Sequence, residues 1–221
     1  MFDRIAGRYD LMNSVMTAGL HHRWRARAVE LAALGPGDRA IDVCCGTGDL
    51  ALELKRRVGD AGGVVGVDFS APMLELARAK SARDGLAVDF LQGNALELPF
   101  EDASFDAATV GFGVRNVVDL ERAIAEMTRV VRPGGRVVIL EITTPERPPL
   151  SWFFSVWFDR IVPVLGKASG EQDAYSYLPD SVRRFPRARS LARSMHERGL
   201  RDVRWLLLAG GIIAIHAGRR P

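Results

Sequence analysis

An apolar strand that runs straight into a glycine turn constrains this chain more than any other feature. Arg39-Ala40-Ile41-Asp42-Val43 reads as a strand carrying one acid, Cys44-Cys45-Gly46-Thr47-Gly48-Asp49 as the turn, and Leu50 to Val58 as the helix that leaves it. Gly46 and Gly48 carry no Cβ, so the backbone there turns sharply and approaches a ligand closely. Strand, glycine turn and helix in that order open a parallel α/β sheet, whose ligands bind beyond the carboxyl ends of the strands.

The spacing Gly46-x-Gly48-x-x-Ala51 also fits a dinucleotide fingerprint, with Asp68 ending the next strand about 20 residues on, where a ribose hydroxyl needs an acceptor. Asp42 decides between ligands. A pyrophosphate seeks amide donors and the positive end of a helix, and an acid at the strand end opposes it. The methionyl ammonium and sulfonium of S-adenosylmethionine are cationic and suit a nearby carboxylate. The stretch therefore reads as a methyl-donor site.

The rest of the chain continues the unit. Val64 to Asp68 reads as the second strand, Met73 to Ala82 as a helix capped by Ser70 with Pro72 in its first turn, and Leu86 to Leu91 as the third strand. Phe105 to Phe112 is the fourth strand, and Leu120, Ile124, Met127 and Val131 give the next helix an apolar stripe that Pro133-Gly134-Gly135 ends. Arg136 to Ile142 is the fifth strand, Arg189 to Arg198 a helix, and Asp202 to Ala209 with Ile212 to Ala217 a terminal strand pair. This βαβα rhythm predicts a mostly parallel sheet with helices on both faces.

Two segments stand outside the rhythm. Residues 1–34 read as cover helices broken near Gly19, with Trp24, Ala28 and Leu31 on one face and Arg23, Arg25, Arg27 and Glu30 on the other. His21 and His22, lying among arginines, read as part of a solvated or lipid-facing patch. Residues 145–186 are too long for a connection and carry Trp152, Phe153, Phe154, Trp157, Phe158, Ile161, Val162, Val164 and Leu165. That density reads as a cap over an apolar ligand or a contact with an interface. The whole chain, 1–221, is expected to be one domain.

The totals bound the partners. A net charge of +3 permits contact with anionic lipid without requiring it. Cys44 and Cys45 are adjacent, so they form no disulfide framework and show no metal spacing; buried thiols, no metal and a reducing cytoplasmic setting are expected. Leu206 to Ile215, the most apolar stretch near the end, falls short of the ~20 residues of a membrane span.

Taken in order, the motifs resemble the ubiquinone/menaquinone biosynthesis C-methyltransferases over essentially the whole chain. The resemblance rests on Tyr9-Asp10-x-Met12-Asn13, His21-x-x-Trp24, Cys44 to Asp49, Phe112-Gly113-Val114-Arg115-Asn116, Arg129 to Gly135 with Leu140-Glu141-x-Thr143, and Tyr177-Leu178-Pro179-x-Ser181-Val182. It implies the class I, Rossmann-like methyltransferase fold: a seven-stranded sheet with its last strand antiparallel. It implies S-adenosylmethionine as methyl donor and a prenylated quinol as acceptor. Thr47, Asp68, Asn94 and Ala95 match family contacts to the donor; Gly111 stands where many members have a donor-contacting serine. The residues themselves add Asp42 and Gly46 near the methionyl end, Gly48 as a further donor-binding residue of the turn, and give Asp68 to the ribose hydroxyls.

Methylating a ring carbon needs an electron-rich ring, and phenols ionise near ~10. The protein must favour the quinolate, and Arg115 and Asn116, with Tyr9 and Asp10 from the opening helix, are the expected catalytic groups. Demethylmenaquinol is the expected acceptor, the polyprenyl-methoxy-benzoquinol precursor of ubiquinone the alternative. Transient contact with the inner face of the plasma membrane, and a homodimer, accord with this reading. A nucleic-acid methyltransferase is disfavoured: Gly111 to Asn116 stand where an Asn/Asp-Pro-Pro-aromatic or Pro-Cys motif belongs. An intact donor site disfavours a non-enzymatic lipid-binding protein.

Overall fold

A computed structural model describes Thr17, residues 19–145, 148, 151, 152, 154 and 179–221. A seven-stranded sheet runs in the order β3-β2-β1-β4-β5-β7-β6. Its strands are β1 (Arg39–Val43), β2 (Gly63–Asp68), β3 (Asp89–Gln92), β4 (Phe105–Gly111), β5 (Val131–Ile142), β6 (Arg201–Leu208) and β7 (Ile213–Arg219). Strands β1 to β5 pair in parallel, and β7 lies antiparallel to both β5 and β6. The expected fold class is the observed one.

The helices are α1 (Leu20–Ala32), α2 (Asp49–Val58), α3 (Ala71–Asp84), α4 (Leu120–Val130) and α5 (Ala188–Glu197). One apolar layer joins Ala28 and Val29 of α1, Leu50, Leu54 and Val58 of α2 and Leu74 of α3 to one face of the sheet. The other joins Ile124 and Met127 of α4 and Leu191 and Met195 of α5 to Ile41, Val110 and Ile139. Both faces of β1, β4 and β5 are thereby buried, which is why these strands read as nearly unbroken apolar runs.

Three local readings are corrected. Strand β3 starts at Asp89, because Leu86 is used to close α3: its N–H donates to the Ser81 carbonyl at 3.0 Å and its carbonyl accepts the Ser81 hydroxyl. Pro133-Gly134-Gly135 does not end α4 in a loop. The helix passes directly into β5, and the glycines form a bulge in which the register moves from Phe105↔Val131 to Ala107↔Arg136. On α1, Arg23, Arg27 and Glu30 face solvent as expected, but Arg25 and His21 are buried.

Residues 1–16, 18 and most of the aromatic segment lie outside the described residues, and with them Tyr9 and Asp10. Within 145–186, Trp152 is exposed, while Phe154 is buried with Val182 against Ile142 and Ile212. Among the described residues no helix is long and apolar enough to cross a membrane.

Candidate functional site

The glycine turn is built by close contact. Gly48 has φ +83°, and a Cβ there would come within 2.9 Å of Phe90 and 3.0 Å of Ala77. Only glycine lets α2 start this close to α3 and β3. Gly48 is thus a packing residue behind the turn rather than a wall of the cavity the turn encloses. Cys44 leaves β1 at φ +54°, and Gly113 closes on it, where a Cβ would stand 2.5 Å from the Cys44 Cβ.

The turn's own amides are spent inside the protein. Gly46 N–H donates to Asp68 Oδ2 at 2.7 Å, Gly48 N–H to the Cys45 carbonyl at 2.9 Å, and Cys45 N–H to the Val67 carbonyl at 3.0 Å. Asp68 takes a second amide, Ser70 N–H, on Oδ1 at 2.9 Å. A pyrophosphate would need those donors for itself. Two carboxylates meet the start of α2 instead: Asp42 from below and Asp49 in its first turn.

Burial is the largest influence on Asp42, and it raises the carboxyl from 3.8 to about 7 against the opposing effects of Thr109 and Arg25. The Thr109 hydroxyl donates to Asp42 Oδ1 at 2.8 Å, so the acid is held in place from the neighbouring strand β4. Asp49 behaves in the opposite way. Burial pushes it up, but Arg25 and Lys80 outweigh burial and hold it below its ordinary value. Arg25 Nη1 stands 2.9 Å from Asp49 Oδ2, and Lys80 Nζ stands 2.6 Å from Oδ1 while donating to the Thr47 hydroxyl at 3.0 Å. Burial, with Asp42 and Asp68 nearby, pushes both cysteine thiols up, so they face the cavity as neutral thiols.

Asp42, Asp49, Arg25 and the two cysteines line one cavity of about 430 Å³. Its walls include Asp42, Gly46, Thr47, Asp68, Asn94, Ala95 and Gly111 of the expected donor set, and Asn116 of the expected catalytic set. Asn94 Oδ1 accepts Leu96 N–H at 2.9 Å, an Asx turn that leaves the amide hydrogens for a ligand. At Gly111 a Cβ would meet Leu50 Cδ2 at 3.1 Å, so a serine there would displace Leu50 slightly.

Arg115 is placed differently from its expectation. It is not among the cavity walls. Its Nη1 pairs with Glu141 Oε1 at 2.8 Å and donates to the Phe112 carbonyl, and its backbone N–H reaches Glu141 Oε2 at 3.3 Å. Both side chains are buried, and Arg115 is thereby committed to holding the Phe112-Gly113 turn onto the end of β5.

The family model described as the ubiE/COQ5 methyltransferase family matches residues 1–220. The chain belongs to that family. A demethylmenaquinone methyltransferase of Thermus thermophilus is 48% identical across the full length of both chains. A ubiquinone/menaquinone biosynthesis C-methyltransferase of Teredinibacter turnerae is 39% identical, over all of this chain and 90% of its own. The crystal structure of a SAM dependent methyltransferase from Aquifex aeolicus shares the fold at a TM-score of 0.65, with 19% identity and 88% of each chain covered.

As a member of this family the protein is an S-adenosylmethionine-dependent methyltransferase, and its cavity fits that donor. Asp68 offers a carboxylate already fixed by two amides, Asn94 a free carboxamide edge, and Asp42 an acid with no phosphate to repel. Sequence reasoning missed Arg25, Asp49 and Lys80 as a unit. Asp49 was in the turn motif, but nothing local signals that cations from α1 and α3 converge on it.

Proposed function

We propose that this chain transfers a methyl group from S-adenosylmethionine to a ring carbon of demethylmenaquinol, giving menaquinol. The observation that carries the reading is the division of the cavity wall. Carboxylates and the Asn94 amide gather around the glycine turn, whereas Phe112, Val117 and Val118 line the side beyond β4, with the Asn116 carboxamide among them. A flat, apolar ring with one oxygen to be held suits that second side. The identity of the relatives named demethylmenaquinone methyltransferase, sustained over the whole chain, supports the same acceptor.

Bound S-adenosylmethionine supplies an electrophilic methyl group on a sulfonium. The chain's residues do the remainder. Asp68 holds the ribose hydroxyls, Asn94 and Ala95 the adenine edge, and Thr47, Gly46 and Asp42 the methionyl end. Asn116 donates to the quinol oxygen and favours its ionised form, the phenolic proton passing to water. Charge then lies on the neighbouring ring carbon, which takes the methyl as the donor's carbon–sulfur bond breaks, and loss of the ring proton to water restores the aromatic ring. Arg115 serves this step as a positioning residue, through the Phe112-Gly113 turn it fastens to Glu141. Tyr9 and Asp10 stay in the proposal on their place in the opening signature.

The reading treats 1–221 as one methyltransferase domain, with 1–34 and 145–186 as its covers. The aromatic segment over 152–165 shelters the prenyl tail and meets the surface of the membrane that stores so apolar an acceptor. A homodimer would use the exposed edge of β6 at Trp205, Leu206 and Leu207.

The test is direct: purified protein, isotope-labelled donor and reduced demethylmenaquinone, with mass spectrometry of the extracted quinone. One labelled methyl on the ring is expected. The methoxy-benzoquinol precursor of ubiquinone, run in parallel, tests the ubiquinone branch that the Teredinibacter relative's name includes. Donor binding without methylation of either acceptor would overturn the proposal. Asn116→Ala should lower kcat by about 10²–10³ while donor affinity holds.

A further inference from the structure

Among the described residues lining the cavity, Arg25 is the only cation. It comes from α1, whereas the rest of the wall is supplied by the strand ends and the starts of α2 and α3. Its side chain is 8% exposed, and only Nη1 is engaged among the described residues, by Asp49 Oδ2 and by His21 Nδ1. Nε and Nη2 retain donors in the fixed planar fork that pairs with carboxylates.

Arg25 and Lys80 both bring positive charge to the carboxylate of Asp49, and Lys80 also donates to the Thr47 hydroxyl. The amino end of α2, whose cap Gly48 offers no side-chain acceptor, adds to the same sign. The methionyl end of the donor is a zwitterion. Its ammonium has Asp42 and the turn; its carboxylate needs a buried cation with a free donor.

We propose that Arg25 receives the methionyl carboxylate of the methyl donor, so that donor binding fastens α1 to the strand ends. The inference rests on the methyl-donor reading of the cavity. It gives the opening helix a second task besides covering the sheet: α1 packs on β4, β5 and β7 and senses whether the donor is present.

Three ligands separate the possibilities by calorimetry at fixed pH and salt. S-adenosylhomocysteine carries the whole methionyl end, its decarboxylated analogue keeps the ammonium only, and methylthioadenosine has neither. Wild type should bind S-adenosylhomocysteine at least tenfold more tightly than the decarboxylated analogue. In Arg25→Gln that advantage should collapse to within about twofold, with methylthioadenosine bound as in wild type, and Arg25→Lys should restore part of it. Hydrogen exchange should slow in α1 on adding S-adenosylhomocysteine but not methylthioadenosine. An undiminished advantage in Arg25→Gln overturns the inference. So does an equal loss for all three ligands, which would make Arg25 only the structural partner of Asp49. Wild type that binds none of the three would sink the methyl-donor reading as well.

Discussion

The sheet has two halves that use their buried polar groups differently. In β3-β2-β1-β4 every strand points the same way, and their carboxyl ends bring Asp42, Asp68, the Asn94 turn and Gly111 to one edge. Buried beneath them are an acid, Asp42, and the hydroxyls of Thr47 and Thr109. In β5-β7-β6 the chain doubles back, and the inner strands are filled by Val137 to Leu140 and Ile213 to Ile215. Its edge strand exposes Trp205, Leu206 and Leu207. Parallel strands deliver successive turns and helix starts to one side, whereas an antiparallel return alternates them. The cavity therefore gathers at the carboxyl ends of the parallel strands, while the buried polar groups of the other half, Glu141 and His216, are engaged in internal contacts.

The Arg115–Glu141 pair joins the two halves, and breaking it should give the largest effect. Glu141→Gln takes a buried carboxylate away from the Arg115 guanidinium and should cost about 3–5 kcal/mol in urea unfolding. Arg115→Met combined with Glu141→Gln should recover part of that loss. If the pair positions Phe112, the double variant should still show a lowered kcat with donor affinity intact.

The next effect is a pH dependence that differs between halves. Asp42 is protonated in the folded protein up to about 7 and ionised in the unfolded chain above 3.8, so its contribution is full below 3.8 and is lost as pH rises through about 7. Asp42→Asn should remove this loss and gain up to about 4 kcal/mol of relative stability above that range. In the antiparallel half, burial lowers His216 from 6.5 to about 4 against the Ala188 carbonyl contact at 2.8 Å. Its contribution is present above 6.5 and is lost as pH falls toward 4. The two windows overlap between about pH 4 and 6.5 with opposite slopes, so thermal melts across pH 4–8 should show Asp42→Asn removing a fall in stability with rising pH and His216→Gln removing a rise. A wild-type profile unchanged by either substitution would break the comparison.

A smaller effect belongs to Asp68. Asp68→Asn keeps the shape but removes the charge that strengthens its hydrogen bonds, so donor affinity should fall by about tenfold to a hundredfold in calorimetry. The smallest sharpens the contrast. Leu207→Lys on the exposed edge of β6 should change stability by no more than about 0.5 kcal/mol and leave donor affinity unchanged.

Much of this was written in local pattern. The order of strands and helices along the chain, the capping of α3 by Ser70, the terminal strand pair and the glycine turn that Asp42 enters follow from residues near one another in sequence, whereas the antiparallel last strand is implied by the family resemblance. Periodicity and turn chemistry act within a few residues, so a single sequence exposes them. The family motifs extended that reading to Asn94, Ala95 and Asn116, all of which line the cavity.

What only the tertiary structure decided are the pairings between distant side chains. Helical spacing placed Arg25 on a polar face, but Asp49, twenty-four positions later, drew it inward and with it His21. Arg115 is a cation beyond a central strand in sequence; Glu141, on the next strand, turned it from the cavity into a brace. Gly48 belongs to the turn motif, yet Phe90 and Ala77 made it a packing contact. Asp42 is one acid in an apolar strand, and its elevated pKa exists only because the sheet and α2 remove it from water. A residue type fixes which charges and donors a chain carries. The partner that offsets each one, and the water it loses, depend on which elements the fold brings together.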